Sequence, residues 1–146
     1  MRIQFILENP EIVSVNEQYL HPVSKSGFSY FTKSSKLVKA QRYFAEELPK
    51  YISEEDIKSL QEIVTKDMNK GIFISLEFGM GINNLYLRDV SNYIKAIEDC
   101  LSEHLQVDDC YNLKVCAEKM KLPEDIKDPN SQFLRVTISD YTMKDF

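Results

Sequence analysis

Cysteine is scarce in this chain, and the three present are poorly placed for a framework. Cys100, Cys110 and Cys116 form no Cys-x-x-Cys pair and are odd in number. That argues against a zinc site or a disulfide scaffold, and for buried structural thiols in a reducing cytoplasm. Long apolar runs are missing as well: none approaches the roughly 18 residues a membrane span needs, so no membrane partner is expected. The opening "MRIQFILENPE" is charged too soon for a signal peptide and reads as a first strand. Internal repeats and low-complexity tracts are absent. At 146 residues the expectation is one domain, 1–146, able to bury roughly 70% of the surface its unfolded chain exposes.

A further absence is local. From Gln18 to Ala45 there is no acidic residue, while Lys25, Lys33, Lys36, Lys39 and Arg42 lie within the stretch. The whole chain carries a net charge of −5, so the rest of it is strongly acidic. The same stretch holds Tyr19, Phe28, Tyr30, Phe31, Tyr43 and Phe44. Cations neutralise phosphates and aromatic faces stack on unpaired bases, which makes this the candidate nucleic-acid footprint. The alternative is a solvated helix face whose aromatics belong to the core.

The periodicities outline an α+β domain. Arg2 to Asn9 and Ile12 to Ser14 read as strand broken by Pro10, and "VNEQYLHPVSKSGFSYFT" as a loop or hairpin with turn signals. Ser34 or Ser35 can cap a helix to about Glu47, with Leu37, Ala40, Phe44 and Leu48 at helical spacing. Ser53 and Asp56 form a capping box for a second helix carrying Ile57, Leu60 and Val64. "GIFISLEFGM" alternates as a half-buried strand. Val90, Ile94, Ile97, Leu101 and Leu105 make one apolar stripe on a helix that opens near Asp89. Tyr111 to Ala117 and "QFLRVTISDY" are the closing strands. The order predicts helices on one face of a mixed β-sheet.

The polar face of the Asp89 helix is where candidate chemistry gathers. Asp89 stands at its start, where a carboxylate can simply cap the helix and favour its dipole. Lys95 and Asp99 are spaced i,i+4, Asn92 shares their face, and Asp108 and Asp109 follow the helix, where they can equally be turn residues.

Taken together, Arg88-Asp89, Asn92, Lys95, Asp99-x-Leu101 and Asp108-Asp109 resemble the pattern D-x-D-N-x-x-K-x-x-x-D-x-L…D-D of the RusA family of Holliday-junction resolvases, common in bacteriophages and prophages. "SVNEQY" is similar to the family's early Asn-x-x-Tyr segment, and "FTKSSKLVKAQRYF" to its serine-capped basic helix. The resemblance implies a RusA-like, Mg²⁺-dependent (or Mn²⁺-dependent) endodeoxyribonuclease that cuts branched DNA, the four-way junction, in recombination and repair, and that acts as a homodimer. It implies Asp89 and Asp109 as metal ligands and Lys95 and Arg88 as catalytic groups at the scissile phosphate. Asn16, Tyr19, Lys25, Lys33, Lys36, Lys39 and Arg42 would bind DNA.

Hard oxygen ligands suit Mg²⁺, and cations can stabilise charge developing on phosphorus. One position departs from the family: Ser91 stands where its helix has a second acid. Ser91 itself, Glu98 and Asp108 are the candidates for the remaining metal position. Glu98 lies two helical turns, about 10 Å, along the axis from Ser91. The alternative is a RusA-fold protein that binds branched DNA or a host protein without cleaving. A third class is an interaction module that uses its acidic surface.

Overall fold

The computed structural model describes residues 1–146. The chain runs β1 (Arg2–Glu8), β2 (Tyr19–Leu20), β3 (Thr32–Lys33), α1 (Ser35–Glu47), α2 (Glu54–Lys66), β4 (Lys70–Met80), α3 (Ile82–Leu85), α4 (Ser91–Leu105), β5 (Asn112–Lys121) and β6 (Gln132–Thr142). Four strands form a mixed sheet in the order β1-β6-β4-β5. β6 pairs antiparallel with β1 and β4, and β4 runs parallel to β5. A parallel pair needs a crossover, and α4 provides it. The fold is α+β.

Local signals set the element ends. The Ser34 hydroxyl accepts from the Leu37 amide and starts α1. At α2, Ser53 accepts from the Asp56 amide while the Asp56 carboxylate accepts from the Ser53 amide, so both orphan donors are satisfied. α4 ends at Gln106 in the left-handed conformation (φ 53°). Ile12 to Ser14 forms no strand. Val13 is buried there in a small cluster with Leu37, Ala40 and Ala96, and packing against α1 and α4 takes the place of a strand ladder.

Strict alternation in β1 buries Ile3, Phe5 and Leu7 and exposes the residues between them. The inward residues of β4 and β6 continue that layer, and Phe44, Leu60, Ile97 and Leu101 from α1, α2 and α4 cover it in one cluster of 22 buried residues. The helices therefore occupy one face of the sheet, and the other face is bare. No helix is long and apolar enough to cross a membrane.

The thiols divide. Cys100 is buried and pushed up to about 12 by that burial, whereas Cys110 and Cys116 are exposed. The expectation of buried thiols thus holds for Cys100 alone, because Cys116 sits on an outward position of the edge strand β5 and Cys110 on the turn before it.

Candidate functional site

The carboxylates singled out by the sequence are each held by a local partner. Asp89 Oδ1 accepts from the Ser91 amide at 3.1 Å and from the Ser91 hydroxyl at 2.7 Å. These two bonds, with weaker attraction from Lys119, hold its carboxyl below the usual range. Asp108 accepts from the Cys110 amide at 2.9 Å, which lowers it likewise. Glu98 accepts from the Asn112 side chain at 2.8 Å.

Lys95 lies between Asp109 and Asp99, with Nζ 2.7 Å from an oxygen of each, and the bonds to Asp109 and then Asp99 raise it well above the usual lysine range. Lys95, Asp99 and Asp109 are thus brought together, and the ammonium fills the space between the acids. No group of three or more His, Cys, Asp or Glu side chains converges to hold a metal ion.

The basic segment is partly neutralised from within. Lys36 pairs with Glu17, and Lys39 with Glu11 at 3.1 Å. Lys33 donates to Gln41. Asn16, Tyr19, Lys25 and Arg42 are exposed. Between α1 and the turn at Val15–Glu17, residues 19–33 form a short arm, closed by the β2–β3 ladder and a bridge from Val23 to Ser29. Phe28 and Phe31 on it are about three-quarters exposed, 74% and 75%.

The remaining predicted residue, Arg88, stands elsewhere. The C-terminal ends of the parallel strands β4 and β5 coincide, Met80 opposite Lys121, and the start of β6 and the end of β1 lie at the same edge, Gln132 opposite Met80 and Phe133 opposite Glu8. α4 begins just beyond that edge. In open sheets this is where ligands collect, since loops converge there and helix N-termini present free amides.

Arg88 Nε donates to Asn84 Oδ1 at 3.2 Å and Nη1 donates to the Tyr93 hydroxyl at 2.9 Å. Both partners are neutral, and Arg88 enters no ion pair. Around it runs an amide network. Asn83 donates to the Asn130 side chain and Asn84 to the Asn130 carbonyl, at 3.0 and 3.2 Å. The Gln132 amide donates to Asn9 Oδ1 at 3.1 Å. Asn9 itself is left-handed, φ 45°, a conformation that asparagine tolerates better than most residues.

These groups enclose a polar pocket of about 280 Å³ lined by Asn9, Glu11, Arg88, Asn130 and Gln132 among others. Glu11 already has Lys39 as its counter-ion. Sequence reading found Arg88 but missed Asn9, Asn130 and Gln132. Asn9-Pro10 and Asp128-Pro129-Asn130 gave only turn signals, and nothing in their spacing showed that two turns about 120 residues apart would meet.

No family model matches the chain. No curated protein matches it either. Among solved structures it is similar to 2C-methyl-D-erythritol 2,4-cyclodiphosphate synthase of Plasmodium vivax, at 7% identity over 98% of both chains and a TM-score of 0.37. It is also similar to IspF of Plasmodium falciparum in complex with CDP, at 12% identity over 98% of this chain and 96% of that one, TM-score 0.37. A third such synthase in a CDP-bound form gives 10% identity, 97% and 100% coverage and a TM-score of 0.32. Likeness at this level transfers no activity to the chain.

The comparisons overturn the RusA resemblance: the structures found are cyclodiphosphate synthases, and no family match supports a resolvase. With it fall the Holliday-junction endonuclease acting in recombination and repair, the non-cleaving binder of branched DNA or a host protein, and the homodimer on a four-way junction. The physical reason is that the spacing behind the resemblance is also that of ordinary local contacts. Asp89 accepts from the amide and hydroxyl of Ser91 at a helix start, Lys95 and Asp99 pair one turn apart, and Asp108 caps a 3₁₀ turn.

Proposed function

We propose that this chain binds a small, polar anion, a phosphate- or carboxylate-bearing molecule, in the pocket around Arg88. The observation that carries the reading is a guanidinium fixed by two neutral acceptors and left without a carboxylate. Such a group is oriented and uncompensated, and its fork matches the oxygens of a phosphate or carboxylate. The surrounding asparagine and glutamine amides supply donors and acceptors for the ligand's other polar atoms. A volume of about 280 Å³ sits at the small end for ligand pockets. The left-handed Asn9 adds a second sign, since strained backbone clusters at binding sites.

The carboxylates do not fit a resident Mg²⁺ or Mn²⁺, because no three converge and Lys95 occupies the space between Asp99 and Asp109. In this reading Asp89 and Asp109 order the start and end of α4, and Arg88 meets the ligand. The chain acts as one domain, 1–146, supported by the 22-residue core shared by its sheet and helices. Three free cysteines support a reducing, cytoplasmic setting.

The test is a thermal-shift and calorimetric panel of inorganic phosphate, pyrophosphate, sugar phosphates and small di- and tricarboxylates. A ligand at a hundred times its Kd stabilises the folded state by about 2.7 kcal/mol, a rise of roughly 5–10 °C for a chain of this size. Arg88→Gln abolishes the response. A panel without response, or one unchanged in Arg88→Gln, overturns the reading.

A further inference from the structure

β5 is an open edge of the sheet. From Lys114 to Lys121 it pairs with β4 alone, and no other backbone hydrogen bond reaches it. Unpaired strand groups of this kind are a template for a further strand. The helix layer also stops short of this edge. Val115 and Ala117 stand opposite Ile74 and Leu76 on the helix-covered side, yet they are only partly buried. The other edge is closed off. Ile3, Phe5 and Leu7 of β1 are almost wholly buried, and the Tyr51 ring stacks on Phe5 at 4.8 Å.

The charges on β5 fit a second copy of the same strand. Lys114, Cys116 and Glu118 stand opposite Phe73, Ser75 and Glu77 on the bare face. Neither Lys114 nor Glu118 enters an ion pair, although Lys114 Nζ lies 5.1 Å from the centre of the Phe73 ring. Glu118 is the one acid of the strand, and Lys119 and Lys121 point to the opposite face. Two antiparallel copies related by a twofold axis perpendicular to the sheet keep each face on its own side, so residues that meet share a face. Lys114 is then the only β5 cation that can meet Glu118. They meet in one register, with Cys116 opposite Cys116, and in it they meet twice. The same register sets Val115 opposite Ala117, again twice, on the helix-covered side.

We infer that β5 docks on β5 of a second copy of this chain, antiparallel and centred on Cys116, so that the two four-stranded sheets join edge to edge. Main-chain hydrogen bonds supply the attraction, and the paired charges of Lys114 and Glu118 fix the register. Val115 and Ala117 of the two copies cover one another where the helices do not. Because the β1 edge is already covered, association stops at two copies. The shared strip is narrow, so the Kd is on the order of 100 µM. The Arg88 pocket takes no part.

The experiment is sedimentation velocity from about 10 µM to about 1 mM chain, a range that brackets this affinity. It is run on wild type, on Lys114→Glu, on Glu118→Lys and on an equimolar mixture of the two variants. Both side chains are exposed, and circular dichroism confirms each variant's fold. Wild type is expected to pass from monomer to dimer across the range. Each variant alone sets like charges opposite each other twice and is expected to dimerise at least about tenfold more weakly. In the mixture every acid again faces a lysine, and dimerisation is expected to return to within about threefold of wild type. A chain that stays monomeric at about 1 mM overturns the inference. So does a dimer that the single variants leave unchanged, a mixture that fails to restore it, or association that continues past two copies.

Discussion

The Arg88 guanidinium donates to the Tyr93 hydroxyl at 2.9 Å across the first turn of α4, and Tyr93 is itself buried, 6% exposed. A buried phenol thus aims an exposed cation. Tyr93→Phe should leave the fold intact at a cost of about 0.5–1.5 kcal/mol, the net value of one hydrogen bond. It should also weaken anion binding several-fold, because the guanidinium regains rotational freedom. Arg88→Lys should keep the charge but lose the fork, and so fall between wild type and Arg88→Gln. Calorimetry on the three variants with one ligand checks the order.

The core makes a second prediction. Leu76 is fully buried in β4, where it pairs with Val136 and Ala117 on the neighbouring strands. Leu76→Ala should cost about 2–5 kcal/mol through lost burial and the cavity left behind. Urea unfolding should show one transition with an earlier midpoint and an unchanged slope. Two separated transitions would contradict the single-domain reading.

Gly71 and Gly27 should respond differently to alanine. A Cβ at Gly71 would stand 2.5 Å from both the Tyr111 carbonyl oxygen and Leu113 Cγ, next to the register shift between β4 and β5 at Ile72 and Phe73. Half of that clash is backbone, so trimming Leu113 should not rescue Gly71→Ala. Gly27 sits in open space at φ +87°, where the penalty is conformational only, about 1–2 kcal/mol. Thermal melts of the two variants and of Gly71→Ala with Leu113→Ala separate the causes.

Stability should have opposite limits at the two ends of the pH scale. Lys95 is raised by Asp109 and Asp99, so the folded chain holds its proton more tightly than the unfolded one. Its contribution is full below the ordinary lysine value and is lost as pH rises through the folded one. Asp89 and Asp140 are lowered, by Ser91 and by the N-terminal ammonium. Their contributions are present above the ordinary aspartate value and are lost as pH falls through the lowered one. Lys95 is half exposed, so water screens the pair, and Lys95→Met should cost no more than about 1 kcal/mol near neutrality. That difference should shrink at strongly alkaline pH, as chemical unfolding across a pH series would measure.

Alkylation reads the thiols. Iodoacetamide on the native chain should add two adducts, at Cys110 and Cys116, and a third only in denaturant, because Cys100 is buried and held protonated. Intact-mass spectrometry gives the count.

Much of the framework was legible because it is locally encoded. The Ser34 and Ser53 caps, the alternation of β4 and the apolar stripe of α4 each depend on residues a few positions apart, and the structure has them where the sequence put them. What escaped is non-local. The strand order β1-β6-β4-β5 and the meeting of Asn9 with Gln132 depend on packing between distant segments, which no short window carries. The family resemblance failed for a related reason. Aspartates and lysines at helix ends recur at the same spacings wherever caps and i,i+4 pairs are needed, so a pattern built from them says little about chemistry.

The position of β6 has a consequence for how the protein is made. It is the last strand along the chain, yet it lies between β1, the first, and β4. During synthesis β1 and the long strand β4 emerge well before the element that pairs with both of them. Each must wait with an unpaired edge and an apolar face exposed. The nascent sheet therefore stays open to misassociation until β6 has left the ribosome, and its closure is set by long-range contacts rather than by its helices.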